Sequence, residues 1–210
     1  MHYHPSMLKI IAGEYRSRQL LSPEDDSTSR PYGSRVKESL FNLLRGWFEG
    51  TTVIDLFAGV GTMGLEAVSR GAARVYMVER NRDIHQLLKQ NIETLGCGDR
   101  AEAVLADALG PFALQKAPRP ADMIFVDPPY DLMSQASSRA RVIEQVSRCR
   151  ELMGNVGFLV LRSPVGPSEA DLSIHGFLGP EVHKYGNDMF VLLYAPSPDS
   201  GNSTSGEVDE

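Results

Sequence analysis

From Thr52 onward, the sequence alternates between short apolar runs and longer amphipathic segments. The apolar runs have the length and β-branched character of buried strands, whereas the segments between them are long enough for helices. This alternation predicts repeated strand–helix units and therefore an α/β fold with a mostly parallel sheet. The apolar runs are 53–56, 75–78, 103–105, 123–126 and 158–161.

Two of the intervening segments have the periodicity of helices. Apolar residues recur three and four positions apart from Ile84 to Leu95. Asn81 is a candidate N-cap of this helix, and Gly96 is its candidate stop. A second helix is predicted over about 134–153. Its predicted inward-facing residues are Val142, Ile143, Val146 and Cys149, with Gly154 as the stop.

Three further elements are predicted on either side of this region. Residues 9–21 contain short apolar runs that predict two short strands or a hairpin. A helix is predicted to start at Ser34, and a Gly-Asn pair between 182–185 and 189–194 predicts a C-terminal hairpin. The apolar residues assigned to the N-terminal helix are Val36, Leu40, Leu43, Leu44 and Trp47.

The 210 residues, of which 42% are hydrophobic, suffice for one domain with a substantial core. We divide the chain into an N-terminal hairpin and helix over 7–50, an α/β domain over 51–195, and a polar acidic tail over 196–210. The tail should be disordered. Cys97 and Cys149 have no spacing typical of a disulfide framework or a zinc site.

The net charge of −6 argues against a protein that coats nucleic acid, but this charge is unevenly distributed. Residues 1–50 carry seven Lys/Arg and six Asp/Glu, whereas residues 51–210 carry fourteen and twenty-one. The N-terminal part can therefore present a local basic face. The five histidines lack ligand spacing, so we expect no metal. The chain has neither a bilayer-length apolar run nor a signal peptide, which predicts a cytoplasmic protein without a membrane partner. We expect a monomer.

The stretch DLFAGVGTMG, from Asp55 to Gly64, matches the Gly-x-Gly-x-x-Gly pattern of nucleotide-binding turns. Gly59 and Gly61 follow the first predicted strand, where glycine lets the backbone turn sharply and a ligand approach closely. Glu79 ends the second strand, where a carboxylate can accept hydrogen bonds from ribose hydroxyls. These residues serve NAD and S-adenosylmethionine equally well.

Asp55 favours S-adenosylmethionine over NAD on electrostatic grounds. A carboxylate at the end of the first strand repels a pyrophosphate, but it stabilises the ammonium and sulfonium of S-adenosylmethionine. The alternative is that Asp55 only accepts hydrogen bonds from local amides. Asp107 follows the third strand, where it can meet the adenine edge or serve as the N-cap of a helix from Ala108 onward.

The segment Asp127-Pro128-Pro129-Tyr130 follows the fourth strand and suits methylation of an exocyclic amine. The Asp127 carboxylate and the Pro128 carbonyl can accept the two N–H groups of the amine, which frees the nitrogen lone pair for attack. The two prolines make this turn rigid, and Tyr130 can stack on a base. The alternative is a simple tight turn after a buried strand.

These residues resemble the RsmD-type family, S-adenosylmethionine-dependent methyltransferases that modify a guanine N2 in bacterial 16S rRNA. The resemblance covers about 7–194 and includes the glycine loop, DPPY, and the N-terminal segments LKIIAGEYRSRQL and RVKESLFNLL. Residues 32–34 depart from the family's pattern.

This resemblance implies a Rossmann-like methyltransferase fold, with a seven-stranded sheet whose last strand is antiparallel. It implies 16S rRNA or the small ribosomal subunit as partner, contacted by the basic N-terminal region through Arg16, Arg18 and Arg35. Asp127, Pro128 and Tyr130 become the reaction site. The implied S-adenosylmethionine contacts are Asp55, Phe57, Gly59, Gly61, Glu79, Arg80 and Asp107.

Other functions stay open at this point. DPPY suits an adenine N6 methyltransferase acting on DNA or RNA equally well. The glycine loop alone supports a dinucleotide-dependent oxidoreductase, against which Asp55 and the lack of an evident hydride-transfer site both count. A catalytically silent RNA-binding protein is a third alternative.

Overall fold

A seven-stranded sheet forms the centre of the protein, whose computed structural model describes residues 8–23 and 34–198. Helices pack on both faces of the sheet. The strands are β1 (Thr52–Asp55), β2 (Arg74–Glu79), β3 (Ala101–Leu105), β4 (Ala121–Val126), β5 (Met153–Ser163), β6 (Phe177–Tyr185) and β7 (Met189–Pro196). The helices are α1 (Ser34–Leu43), α2 (Gly64–Ser69), α3 (Arg82–Leu95), α4 (Pro111–Gln115), α5 (Tyr130–Ser134) and α6 (Ala136–Arg148).

The strand order is β3-β2-β1-β4-β5-β7-β6. Strands β1 to β5 are parallel, whereas β7 runs antiparallel to both of its neighbours. This arrangement confirms the predicted seven-stranded sheet with its last strand antiparallel. The chain order reverses between β1 and β4, and ligands of such sheets bind at the carboxyl ends of the strands flanking this point.

The helix α3 forms as predicted. The Asn81 side chain accepts hydrogen bonds from the amides of Asp83 and Ile84, and Gly96 ends the helix with φ 70°. Positive φ is accessible to glycine because it has no Cβ. Local capping residues therefore fix both ends of this helix.

Helix α6 is shorter than predicted. It ends at Arg148, a 3-10 turn over Cys149–Leu152 follows, and β5 begins at Met153. Gly154 lies inside β5, so its prediction as the helix stop is wrong. Val142, Val146 and Cys149 are buried as predicted, and Ile143 is partly buried against them.

Helix α1 is also shorter than the apolar periodicity suggests. It ends at Leu43, which is 45% exposed, so the assignment of Leu44 and of the 41% exposed Trp47 to this helix is wrong. Phe41 and Phe48 are buried instead. Because the helix ends at Leu43, its periodicity no longer determines where Trp47 points. The Trp47 ring lies edge-on against Phe158, with 4.7 Å between centroids.

The N-terminal segment forms a hairpin-like loop with one antiparallel bridge, between Lys9 and Gln19. Its apolar residues Ile10 and Leu20 belong to the same buried cluster as α1 and the sheet. The C-terminal hairpin forms as predicted, with β6 beginning earlier, at Phe177. The predicted tail from 199 onward and the departure at 32–33 lie outside the described residues.

A buried ionic network ties the N-terminal segment to α2. Glu66, fully buried, contacts the Lys37 ammonium and the Arg70 guanidinium, both at 2.9 Å. Its carboxylate also accepts the amides of Ile11 at 2.8 Å and Ala12 at 3.1 Å. Burial lowers the pKa of Lys37, an effect that Glu66 opposes. Four donors therefore compensate the burial of one charge.

Candidate active site at the carboxyl ends of the parallel strands

Three carboxylates meet at the carboxyl edge of the sheet. Asp55 is the last residue of β1, Glu79 is the last residue of β2, and Asp127 directly follows β4. Because β1 lies between β2 and β4, the three strand ends are neighbours. The negative charges of Asp127 and Glu79 both raise the pKa of Asp55. This edge is therefore a site that favours a cationic ligand.

Asp55 is the most buried of these carboxylates, at 1% exposure. Its Oδ2 accepts a hydrogen bond from the Gly64 amide at 3.1 Å. Asp55 therefore does bond a local amide, which was the alternative role predicted from the sequence. Its Oδ1 is buried and lacks a well-formed hydrogen bond among the described residues. Burial, and then the charge of Asp127, raise the pKa of Asp55 to about 7, whereas the backbone amides of Gly64 and Phe57 oppose this rise. A buried and incompletely hydrogen-bonded carboxylate oxygen fits a cationic group of a ligand.

The glycines of the loop have two different roles. Gly59 has φ 56°, and a Cβ placed on it meets no atom within 4 Å, so it faces open space. A Cβ on Gly61 would lie 2.6 Å from Leu88 Cδ1, and one on Gly64 would lie 2.5 Å from the sulfur of Met77. Gly59 therefore leaves room for a ligand, whereas Gly61 and Gly64 permit close packing.

Glu79 links the glycine loop to the start of α3. Its Oε2 accepts a hydrogen bond from the Gly59 amide at 3.1 Å, and its Oε1 accepts one from the Asn81 amide at 2.6 Å. The structure therefore brings Glu79 and Gly59 together, as the sequence predicts. Phe57 is half-buried near the loop, and Arg80 is exposed.

Asp107 lies in an exposed turn after β3. Its Oδ1 accepts a hydrogen bond from the Leu109 amide at 3.0 Å. The next helix, α4, begins only at Pro111, and its N-cap is Gly110, so the alternative of a helix beginning at Ala108 is wrong. The contact between Asp107 and adenine stays a prediction.

The DPPY segment forms a rigid connection between β4 and α5. Asp127 is half-buried, Pro128 is buried, and Pro129 is the exposed N-cap of α5 with φ −50°. Tyr130 is the half-buried first residue of α5. Because neither proline has an N–H, this turn presents acceptors without competing donors.

Arg162 is a residue of this site that the sequence analysis missed. It lies in β5, is only 6% exposed, and its Nε forms an ion pair with Oδ1 of Asp127. Its guanidinium also lies over the Tyr130 ring, 5.4 Å from the centroid. Burial raises the pKa of Asp127 to about 6, and Arg162 opposes that rise. The available signal was an arginine inside the apolar run FLVLRS, because a buried charge requires a partner.

The three predicted RNA-binding arginines do not form one cluster. Arg16 is exposed, and Arg18 donates a hydrogen bond to the Thr94 carbonyl at 3.1 Å. Thr94 lies in the last turn of α3, which runs from the carboxyl end of β2 back towards the start of β3. The Arg18 contact is therefore at the opposite edge of the sheet from Asp127.

Arg35 lies nearer to the carboxyl edge. It is an exposed residue in the first turn of α1. One turn later, the Ser39 hydroxyl is hydrogen-bonded to the Tyr185 hydroxyl at 2.9 Å. Tyr185 ends β6, which runs in the same direction as β5, so this contact anchors α1 at the edge that carries Asp127.

Neither a membrane-spanning helix nor a metal-binding cluster is found in the part of the chain that the structure describes. No helix within 8–23 and 34–198 has the length and apolar character needed to cross a membrane. Over the same residues, no group of three or more His, Cys, Asp or Glu side chains is arranged to hold a metal ion.

Proteins of known sequence resemble this chain over most of its length. The Haemophilus influenzae protein named ribosomal RNA small subunit methyltransferase D is 37% identical over 134 residues, which cover 62% of this chain and 69% of the relative. The Escherichia coli K12 protein of the same name is 40% identical over 129 residues, covering 61% and 63%. The alignment thus spans just under two thirds of the E. coli relative.

Solved structures share the whole fold. A putative methyltransferase, yhhF, from Escherichia coli superposes with a TM-score of 0.75 at 28% identity, covering 91% of this chain and 99% of that one. The putative methylase HI0767 from Haemophilus influenzae gives a TM-score of 0.70 at 25% identity, covering 92% and 100%.

The family model described as conserved hypothetical protein 95 matches residues 8–193, nearly all of the described chain. The match includes the glycine loop, the DPPY segment and the N-terminal hairpin-like loop. The chain therefore belongs to the conserved hypothetical protein 95 family, the family of the RsmD-type methyltransferases.

Proposed function

We propose that this protein transfers a methyl group from S-adenosylmethionine to the N2 amine of a guanine in small-subunit rRNA. One observation carries the proposal: a buried, incompletely hydrogen-bonded carboxylate oxygen of Asp55, at the end of β1, lies beside the end of β4, which Asp127 directly follows. The proposed cation-binding position and the proposed amine-binding position are thus adjacent. The rRNA substrate follows the curated relatives, which are named as small-subunit rRNA methyltransferases.

The residues present fit S-adenosylmethionine. Asp55 can pair with its cationic centres, Gly59 leaves open space for close approach to the backbone, and Glu79 can accept the ribose hydroxyls. When bound, S-adenosylmethionine supplies an electrophilic methyl group. The resemblance adds Phe57, Arg80 and Asp107 as further contacts.

The guanine amine would be held by DPPY. The Asp127 carboxylate and the Pro128 carbonyl accept the two N–H groups, which favours a pyramidal nitrogen with its lone pair available. The nitrogen would bond to the methyl carbon as the bond between that carbon and the sulfonium sulfur breaks, so that a neutral thioether leaves. The nitrogen would also lose one proton, which Asp127 can accept at Oδ2. Tyr130 can stack on the base, an interaction worth about 1–3 kcal/mol.

The other candidate functions predict different chemistry at the same edge. A dinucleotide-dependent oxidoreductase would place a pyrophosphate near Asp55, where the carboxylates of Asp55 and Glu79 disfavour it. An adenine N6 methyltransferase would use DPPY in the same way on a different base. Identification of the methylated nucleoside therefore decides between the two amines.

The test is methylation of rRNA followed by mass spectrometry of its nucleosides. Small ribosomal subunits and free rRNA from a strain lacking the activity are incubated with the protein and labelled S-adenosylmethionine. We expect N2-methylguanine, and its loss in Asp127→Ala. The matched control is Asp122→Asn, because Asp122 lies on β4, which Asp127 directly follows, but accepts the Thr52 amide at the other edge of the sheet. N6-methyladenine, or no label in rRNA, would contradict the proposal.

A further inference from the structure

We infer that Arg162 is a positioning residue of the reaction site, which fixes the Asp127 carboxylate and the Tyr130 ring in the arrangement that receives the target base. This inference rests on the proposed function and deepens it. Arg162 lies on β5, whereas the glycine loop follows β1 and DPPY follows β4.

The register of the sheet places Arg162 beside Asp127. Val126, the last residue of β4, pairs with Leu161 of β5. Asp127 and Arg162 follow these two residues on adjacent parallel strands. The pairing of Arg162 with Val191 on β7 fixes the position of β5 from its other side. The sheet therefore fixes the Cα and Cβ atoms of Arg162, because β5 is paired on both sides.

The guanidinium contacts both ends of DPPY. Its Nε pairs with Asp127 Oδ1, and its Cζ lies over the Tyr130 ring, 5.4 Å from the centroid. These two partners are three residues apart in sequence and are joined by two prolines. A planar cation with fixed N–H directions can hold a carboxylate and an aromatic ring at once, which a flexible ammonium does less well.

This arrangement determines what the site offers to a substrate. Because Arg162 engages Oδ1, the substrate amine is left with Oδ2 of Asp127. Because Arg162 covers one side of Tyr130, a base can stack only on the other side. The charge of Arg162 is compensated by Asp127, so that Asp55 and Glu79 remain to attract the cationic methyl donor.

Substitutions of Arg162 separate its charge from its shape. Arg162→Met keeps an apolar stem without charge, and Arg162→Lys keeps the charge without the planar fork. The matched control is Arg148→Met, since Arg148 forms an exposed ion pair with Glu144 at 2.6 Å. Each variant is assayed for rRNA methylation across the pH range, with kcat and KM for S-adenosylmethionine measured separately.

For Arg162→Met, we expect kcat at neutral pH to fall by about tenfold to a hundredfold, as misplacement of a reacting group does. The acid limb of its pH–rate profile should move to higher pH, because Asp127 loses the cation that opposes its protonation. KM for S-adenosylmethionine should change by no more than about twofold. Arg162→Lys should keep the acid limb of the wild type while kcat is reduced.

Thermal unfolding and calorimetry with S-adenosylmethionine establish that the variants are folded. If Arg162→Met does not fold, the outcome for Arg162→Lys decides. A wild-type pH profile and kcat in the folded variants would overturn the inference and leave the proposed function intact. An equal loss of kcat in Arg148→Met would also overturn it. A wild type that fails to methylate rRNA would overturn both.

Discussion

The side chain of Asn91 pairs with the backbone of Leu21 in both directions, accepting its N–H at 2.7 Å and donating to its carbonyl at 3.1 Å. The same Asn91 Nδ2 donates to the carbonyl of Val60, in the glycine loop, at 3.0 Å. Asn91 is only 1% exposed, so these bonds are shielded from water. One side chain of α3 therefore holds both the N-terminal segment and the glycine loop.

We expect Asn91→Leu to destabilise the protein by about 1–3 kcal/mol, because it leaves the buried carbonyl of Val60 and the partly buried backbone groups of Leu21 unpaired. It should also weaken S-adenosylmethionine binding, since the glycine loop loses a support. Urea unfolding and calorimetry measure the two effects. Glu93→Ala, an exposed change on the same helix, is the control. Unchanged stability of Asn91→Leu would show that Asn91 does not support these segments.

Asp55 should make both stability and cofactor affinity depend on pH. Its pKa is raised from 3.8 to about 7 in the folded protein, mainly by burial. A raised carboxyl pKa stabilises the fold fully below the unfolded value, and this contribution is lost as pH rises through about 7. The contribution of Asp55 to the stability of the ligand-free protein should therefore fall between about pH 4 and 7.

Affinity for S-adenosylmethionine should change in the opposite direction. Its cationic groups favour ionised Asp55, so binding should strengthen as pH rises through about 7 and should release a proton. Calorimetry in buffers of different ionisation enthalpy counts that proton. Asp55→Asn should bind weakly and without this pH dependence. Tight NAD binding by the wild type in the same experiment would contradict the assignment of the ligand.

Alanine at two glycines should separate ligand binding from folding. The Cβ that Gly59→Ala adds meets no atom within 4 Å. The variant should therefore lose about 1–2 kcal/mol of stability, from the positive φ alone. It should nevertheless abolish tight S-adenosylmethionine binding. Gly61→Ala adds a clash with Leu88 and should lower stability further. Denaturant unfolding and calorimetry on both variants test this contrast, and equal effects would refute it.

The predicted RNA-binding arginines at both edges of the sheet should contribute to RNA affinity through phosphate contacts. Arg35→Ala should lower kcat/KM for rRNA and reduce the salt slope of binding by about 1, as loss of one phosphate contact does. Arg16→Ala with Arg18→Ala should weaken RNA binding and flatten its salt dependence. Filter binding over a salt series measures both. Salt-independent affinities in all variants would argue against these contacts.

Sequence periodicity predicted the local parts of this structure well, because local forces determine them. Helix α3 has its own caps in Asn81 and Gly96, and the mostly parallel sheet follows from repeated strand–helix units. The contact between Arg162 and Asp127 depends instead on the register of β5 against β4, which no local pattern contains. The burial of Glu66 depends on tertiary contacts in the same way. Its partner Arg70 is only four residues away, but Lys37 reaches Glu66 only after α1 packs on α2.

The burial of Glu66 also limits which segments can be exchanged between members of this enzyme family. Removing residues 7–50 would remove Lys37 and two backbone donors, leaving a carboxylate inside an apolar core with Arg70 alone. The proposed boundary at residue 50 therefore divides the RNA-facing region from the region that binds S-adenosylmethionine, but these two regions fold as one unit. The N-terminal region cannot be exchanged as an independent RNA-binding module, and new substrate preferences must arise by substitution on its exposed side.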